Sequence, residues 1–327
     1  MSKKVFITGG GGYVGCYLTD YLISFGYSVT VYDLFIYGEN VFKSKDKLNC
    51  VKGDIRDQEL LTQSIAGHDI VIHLACISND PSFELNPTLG KSINLDAFEP
   101  LVRISKNAGI KRFVYASSSS VYGIKEIKNV HENIELEPIT DYSKFKAQCE
   151  KILMNFKNEN FICTVIRPAT VCGYSKRQRL DVIVNILSNI GYHNKEISVF
   201  GGEQLRPNIH IKDMVRAYKC LIESNIDLVN GEIFNAGWEN KSVNEIAHIV
   251  KNELGGNIKL KITATNDNRS YHISSEKIKK KLNFQTQFTI NDAVKDLKNA
   301  FDKNLLDDPI NNPNYFNIKK MQQIDLK

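Results

Sequence analysis

Apolar positions along the first half of the chain follow two alternating rhythms. Short runs rich in Val, Ile, Tyr and Phe occupy residues 3–9, 27–33, 49–54, 69–75, 111–118 and 161–168. Near-continuous apolar runs of this kind read as strands buried on both faces. Between most of them, at 13–25, 57–66, 87–108 and 141–157, apolar residues return at helical spacing. Strands alternating with helices predict an α/β fold, a doubly wound parallel sheet with helices on both faces. Pro100 falls inside the pattern 87–108 and predicts a kink or break there, because proline lacks an N–H and crowds the preceding turn.

Past Pro168 the rhythm changes. A loop rich in Arg and Lys at 174–179 leads to an amphipathic run at 180–190, a strand at 196–200 and the stretch LRPNIHIKD at 205–213. EIFNAG at 232–237 reads as one more strand of the sheet. Ser242-x-x-Glu245 is a capping-box start for a helix reaching about Leu254. The expected organisation is a first domain at 1–170, to which 213–238 returns, and a smaller mixed α/β lobe built from 171–212 and 239–327.

Composition narrows the possibilities without changing this outline. With 327 residues, 42% hydrophobic and 24% charged, the chain is an ordinary globular protein large enough for two lobes. A net charge of +5 is spread thinly, and its densest run, Lys277 to Lys281, reads as the solvated face of a short helix. No cluster of Arg with interleaved aromatics suggests a nucleic-acid partner. The 7 cysteines are scattered without a CxxC pair, which points to reduced thiols and away from a disulfide framework or a zinc site. The opening MSKKVFITGG enters a strand at once, without the apolar stretch of a signal peptide. No segment approaches the roughly 18 apolar residues of a membrane span. A cytoplasmic protein is expected.

The first strand runs into GGGGYVG at 9–15. Gly10-x-Gly12-x-x-Gly15 fits a dinucleotide fingerprint, and Gly9-x-x-Gly12-x-x-Gly15 fits its sister form. The glycines permit a tight turn, close approach to a diphosphate, and close packing of helix on strand. The helix N-terminus then offers N–H donors to phosphate. Asp33, at the end of the second strand, is placed to accept from the adenosine ribose hydroxyls. No Arg or Lys follows it until Lys43, so a 2′-phosphate would meet a carboxylate and no cation, which favours NAD over NADP. Asp54 and Ile55, ending the third strand, are placed to frame adenine, though Asp54 also fits a solvent-exposed turn.

The segment DYSKFK at 141–146 opens a helix, with Thr140 or, preferably, Asp141 as N-cap. Tyr142 and Lys146 then share one face, about 5–6 Å apart at Cβ. A nearby ammonium favours the phenolate and lowers a tyrosine pKa from about 10, which suits a proton-transfer pair. A surface pair with no chemistry has the same spacing. Upstream, RFVYASSSSVYG at 112–123 ends a strand with four serines, a run that also suits ordinary turn chemistry.

Taken in order, the glycine loop, the serine run and the Tyr/Lys pair resemble the extended short-chain dehydrogenase/reductase family. The resemblance covers nearly the whole chain. Its nearest branch is that of the nucleotide-sugar epimerases, dehydratases and dehydrogenases. It implies a Rossmann fold and NAD, with Ser118 as the catalytic serine that hydrogen-bonds the reacting sugar hydroxyl. Tyr142 becomes the general base, Lys146 its pKa-lowering partner and a ligand of the nicotinamide ribose, and Pro168 a neighbour of the nicotinamide. Arg206 and Arg269 match arginines that grip the diphosphate of a nucleotide-sugar, where a bidentate guanidinium suits the ligand. A homo-oligomer, dimer or tetramer, is expected.

Departures from the branch narrow the reaction. Ser119 and Ser120 stand where the 4,6-dehydratases carry an Asp-Glu pair, which argues against loss of water. Ser119 also replaces the cysteine of the fucose-synthase type. Thr170 replaces a frequent Asn, weakening one substrate contact. Arg177 and Arg179 could reach phosphates, but solvation in their loop is the favoured reading. His73 and His210 sit in strand patterns and read as core or edge residues. ISNDPSFELNP at 77–87 and RLDVIVN at 179–185 resemble surface-polysaccharide relatives. The leading expectation is therefore NAD-dependent oxidation of a nucleotide-sugar at C4, with release of a 4-keto sugar by a dehydrogenase acting on a GDP-linked heptose or hexose. The alternative is a 4-epimerase of the UDP-glucose kind. A non-catalytic dinucleotide sensor on the same fold is disfavoured by the retained serine, tyrosine and lysine.

Overall fold

Six apolar runs become strands, at the places expected: β1 (Lys4–Thr8), β2 (Ser28–Asp33), β3 (Leu48–Lys52), β4 (Ile70–His73), β5 (Arg112–Ala116) and β6 (Ile162–Pro168). This computed structural model describes residues 3–42, 46–78, 80–127, 129–264, 270–324 and 326; Lys43 and Arg269 lie outside them. Beyond β6 follow β7 (Thr170–Cys172), β8 (Glu196–Phe200), β9 (Leu205–His210), β10 (Glu232–Ala236), β11 (Glu239–Ser242) and β12 (Lys259–Thr263). Seven strands form the main sheet in the order β3-β2-β1-β4-β5-β6-β10. Every neighbouring pair is parallel.

Alternation along β1 shows why both faces are apolar. Val5 and Ile7 join one core cluster, while Phe6 joins the other, and all three have 0% exposure. The first cluster lies under α1 (Tyr13–Ser24). The second lies under α2 (Gln58–Ile65), α3 (Asp80–Glu84), α4 (Pro87–Lys91), α5 (Phe98–Asn107) and α6 (Asp141–Phe156). Strand order reverses between β1 and β4. The crevice beyond the carboxyl ends of strands at such a switch point is where doubly wound sheets take ligands.

Two local expectations are corrected. The pattern 87–108 breaks upstream of Pro100, where a π-helical turn, Ser92–Asp96, separates α4 from α5. Pro100 falls in the first turn of α5, where a missing N–H costs nothing because it has no partner within the helix. The N-cap of α6 is Thr140 rather than Asp141. Thr140 is extended, its Oγ1 accepts from the Ser143 N–H at 3.3 Å, and its own N–H donates to Ser143 Oγ at 3.1 Å. Asp141 is the first helical residue, with its carboxylate at the positive end of the helix.

The remaining helices are α7 (Ile183–Asn194), α8 (Ile211–Glu223), α9 (Ile226–Val229), α10 (Val243–Leu254), α11 (Glu276–Leu282), α12 (Ile290–Asp302) and α13 (Asn317–Gln323). The expected capping box opens α10, with Glu245 N–H donating to Ser242 Oγ at 3.1 Å and Ser242 N–H to Glu245 Oε2 at 2.8 Å. A separate core of Val184, Ile197, Val199, Ile246 and Val294 joins α7, β8, α10 and α12. Two small sheets, β11-β9-β7 and β12-β8, belong to this half. Chain segments 211–223 and 232–236 instead go back to the main sheet: Met214 and Tyr218 of α8 enter its first cluster, and β10 pairs with β6. The lysine run in α11 is only partly solvated, since Lys277 and Lys281 hold Glu232 at 2.7 and 2.6 Å.

Candidate active site

The turn between β1 and α1 is shaped by contacts that only glycine permits. Gly9 has φ +73°, and a Cβ there would stand 2.5 Å from the Ala75 nitrogen, so the end of β1 passes directly against the chain leaving β4. A Cβ on Gly15 would stand 2.5 Å from the Gly9 oxygen, which places the first turn of α1 on the loop itself. Gly12 is the N-cap of α1 and offers no side chain to its N–H groups. The result is a cradle of backbone donors at a helix N-terminus, a fit for the diphosphate of a dinucleotide.

Asp33 closes this cradle at the end of β2. Its carboxylate accepts from the Gly11 N–H at 2.9 Å and the Phe35 N–H at 2.7 Å. Burial raises its pKa, against the pull of those two N–H groups and of Arg177. Asp54 is held by Arg56, whose Nη2 lies 2.6 Å from Oδ2; burial opposes the charge, but the Arg56 hydrogen bonds leave the carboxyl below its usual range. Ile55 beside it is 5% exposed. Gly9, Gly12, Gly15, Asp33, Asp54 and Ile55 line one cleft, which continues past Pro168 to Tyr142 and Lys146.

At that far end, β5 delivers the serine run. Ser118 caps a short 3₁₀ turn, Ser119–Tyr122, accepting from the Ser120 N–H at 3.1 Å and pairing with Ser120 Oγ at 2.9 Å. Ser118 is close enough to Tyr142 to act on its hydroxyl and lower its pKa. Lys146, 5% exposed, donates to the Ala116 carbonyl at 2.7 Å, and its Nζ stands 5.8 Å from the centre of the Tyr142 ring. One further turn along α6, Glu150 accepts from Ser117 and from Arg167. Arg167 Nη1 donates in turn to Tyr122 Oη at 2.7 Å, and Tyr122 Oη to Asn235 at 2.7 Å. Tyr142, Lys146 and Glu150 thus use a single helix face to meet the serine loop from above and from behind.

Electrostatics at Tyr142 differ from the sequence expectation. Burial pushes its pKa well above the ordinary value, reinforced by Cys76 and Asp80, while Arg179 and the Ser118 hydrogen bond pull the other way. The Lys146 ammonium donates to the Ala116 carbonyl and stands over the Tyr142 ring, and burial remains the dominant influence on the hydroxyl. Nearby His73 is a core residue. Thr8 Oγ1 lies 2.7 Å from its Nδ1, Tyr115 stacks on its ring, and burial pushes its pKa down to about 3. His210 caps α8, accepting from the Lys212 N–H at 3.1 Å.

Solvation of Arg177 and Arg179 is overturned. Both line the cleft. Arg177 is 5% exposed, with its guanidinium carbon 3.4 Å from the centre of the Tyr37 ring. Arg179 donates to Asp181 at 2.5 Å and to Ser78 at 3.3 Å. Their loop is bolted to the glycine turn: Tyr13 Oη donates to the Gly173 carbonyl at 2.6 Å, Ser175 Oγ to the Tyr13 carbonyl at 3.0 Å, and Asn185 Nδ2 to the Arg179 carbonyl at 2.8 Å. The usable signal was Gln178 and Leu180, both 0% exposed, which interleave with the arginines. Asn317 and Met321 of α13 also line the cleft, and neither belongs to a motif in the sequence.

Arg206 lies elsewhere, on β9, where Nη1 donates to the Leu205 carbonyl at 2.9 Å and the guanidinium carbon is 5.8 Å from the Tyr271 ring. Thr170 opens β7 opposite Asn208. Among the described residues, no group of three or more His, Cys, Asp or Glu is placed to hold a metal, and no helix is long and apolar enough to cross a membrane.

Comparison with known proteins adds an independent line. Residues 5–237 match the model of the NAD dependent epimerase/dehydratase family. The chain is similar to the uncharacterised protein y4nG of Sinorhizobium fredii, 31% identical over 68% of this chain but only 54% of that protein's length. It is 26% identical to a UDP-glucose 4-epimerase of Lactobacillus helveticus, over 72% of this chain and 76% of that one. Among solved structures, the UDP-glucose 4-epimerase of Thermotoga maritima with UDP-glucose superposes with a TM-score of 0.83 at 25% identity, covering 93% of this chain and 100% of that chain.

Proposed function

Because the chain belongs to the NAD-dependent epimerase/dehydratase family, we propose that it oxidises a nucleotide-sugar at C4 and returns the hydride to the other face, a 4-epimerisation. One observation supports this above the others. The Tyr142 and Lys146 side chains line the end of a cleft whose other end is a glycine cradle closed by Asp33, and Ser117 of the serine run lines it beside them.

Bound NAD supplies the hydride acceptor. Everything else falls to the chain. The Ser118 hydroxyl holds the sugar C4 hydroxyl, and Tyr142 Oη takes its proton as the carbon gives up hydride. Burial favours the neutral phenol, so proton removal needs positive charge gathered close by, and Lys146 is the nearest cation on α6. Asp33 selects NAD by repelling a 2′-phosphate. Residues 1–170 with 213–238 hold most of the cofactor, and 171–212 with 239–327 hold the sugar nucleotide, where Arg206 and Arg269 take its diphosphate, while Arg177 and Asn317 of that half line the cofactor cleft. Loss of water is not favoured, since Ser119 and Ser120 offer no acid.

The fate of the hydride turns on enclosure. Met321 and Leu326 pack on the cluster containing Ile55, Phe83 and Ile93, and both line the cofactor cleft. Apolar side chains from the far end of the chain suit a cofactor retained through many turnovers, and retention favours return of the hydride over release of a 4-ketone. The test offers UDP- and GDP-linked hexoses and heptoses, following NADH absorbance and sugar NMR together. Interconversion of two C4 epimers without NADH accumulation supports the reading. Ketone release with matching NADH would replace it with a dehydrogenase.

A further inference from the structure

We propose that Arg177 binds the diphosphate of the dinucleotide cofactor, and that α13 is the latch holding it over that group. The proposal rests on the NAD-dependent reading above and adds a residue from outside the glycine fingerprint.

Arg177 sits in the loop between β7 and α7, where an arginine would ordinarily reach solvent, yet it is 5% exposed and faces the cleft. Its Nη2 donates to Asn317 Oδ1 at 2.9 Å and its flat face covers Tyr37, while its Nε has no hydrogen-bond partner. A buried N–H on a cation left unpaired is costly, and an acceptor arriving with the ligand removes the cost. The acceptor must be anionic, because no carboxylate is hydrogen-bonded to Arg177 among the described residues and burial already works against its charge.

Position decides between the two diphosphates that would enter the enzyme. Tyr37 follows β2 closely, and the Arg177 guanidinium lies 3.4 Å from its ring. Arg177 therefore overlooks the ribose and diphosphate end of the cleft, whereas Arg179 reaches Ser78 after β4. Asn317, 3% exposed, ties the surroundings together. Its Oδ1 accepts from Tyr37 Oη at 3.0 Å as well as from Arg177, its Nδ2 donates to Ser78 Oγ at 2.8 Å, and its N–H donates to Asp181 at 2.7 Å. One asparagine at the head of α13 thus joins the turns after β2 and β4 to the loop after β7.

The test titrates full-length wild type, Arg177→Gln, Arg177→Lys and Asn317→Ala with NADH by fluorescence and with UDP by calorimetry. Arg177→Gln should weaken NADH about ten- to hundredfold, the range for loss of charge-assisted hydrogen bonds, and leave UDP within about twofold. Arg177→Lys should fall between, having the charge without the fork. Asn317→Ala should release NADH faster in stopped flow. Unchanged NADH affinity in both Arg177 variants overturns the proposal, as does loss of UDP with NADH intact, which would hand Arg177 to the substrate's diphosphate. A wild type that binds no NADH overturns the functional reading itself.

Discussion

Glu150 and Arg167 form a bidentate ion pair sealed behind the serine loop, with Nε–Oε1 at 2.9 Å, Nη2–Oε2 at 2.6 Å, and side chains 4% and 2% exposed respectively. The pair couples α6 to β6 at the level of Ser117, so it sets where Tyr142 and Lys146 stand relative to Ser118. Burial opposes the Arg167 charge, but the Glu150 contacts dominate and raise its pKa. Removing one partner strands the other. Glu150→Gln should cost about 3–5 kcal/mol of stability in urea unfolding and lower turnover as well. Adding Arg167→Met should recover most of the stability without the turnover. A single variant unfolding at the wild-type urea concentration would show that the pair is dispensable.

Tyr142→Phe removes the hydroxyl and keeps the ring in the second core cluster. Turnover should fall about 10²–10⁴-fold, the usual contribution of a positioned general base, with NADH affinity and thermal midpoint close to wild type. Near-full activity would remove Tyr142 from the chemistry.

Asp33→Ser should narrow the preference for NADH over NADPH by removing the carboxylate that faces a 2′-phosphate. Arg177, which the fold carries to this end of the cleft, should then assist NADPH. Parallel calorimetric titrations check the point, and a wild type that prefers NADPH contradicts it.

Stability should depend on acid through His73. Its folded pKa is about 3, whereas an unfolded histidine sits near 6.5, so between those values only the unfolded chain takes the proton. Its contribution is therefore complete above about pH 6.5 and is lost as pH falls toward the folded value, by up to about 1.4 kcal/mol per pH unit. His68, also lowered by burial, adds in the same direction. Urea unfolding from about pH 7 to about pH 4 should show this slope, shallower in His73→Gln.

The sheet was legible because its strands are buried on both faces, and runs such as VFIT and IVIH have no other good use in water. The glycine loop and the Tyr142–Lys146 pair were legible because their chemistry is local, held within a turn or one helix face. Arg177 and Asn317 were not. They lie 140 residues apart and meet through a loop bolted to Tyr13 and Asn185, a long-range arrangement with no period of its own. The Tyr142 pKa escapes the sequence for a related reason: spacing shows that a lysine is near, but not that burial dominates at the hydroxyl. Thr140 is hard to tell from Asp141 as the N-cap in sequence because its reciprocal partner, Ser143, replaces the Glu or Gln usual in a capping box.

The pairing of β10 with β6 has a consequence for how the chain can be divided. Ala236 lies beside Pro168, and the Ala169 N–H donates to the Ala236 carbonyl at 2.7 Å, so the excursion between them leaves and re-enters at the same edge of the sheet. Between the Arg177 loop and α8 that detour can lengthen or shrink without reordering a strand of the main sheet, while the Arg177 loop and α8 stay with the nucleotide cradle. The opposite cut is hazardous. A fragment ending near residue 170 would bare the flat apolar edge of β6, its N–H and C=O groups open to pairing with another copy, and would be prone to aggregate.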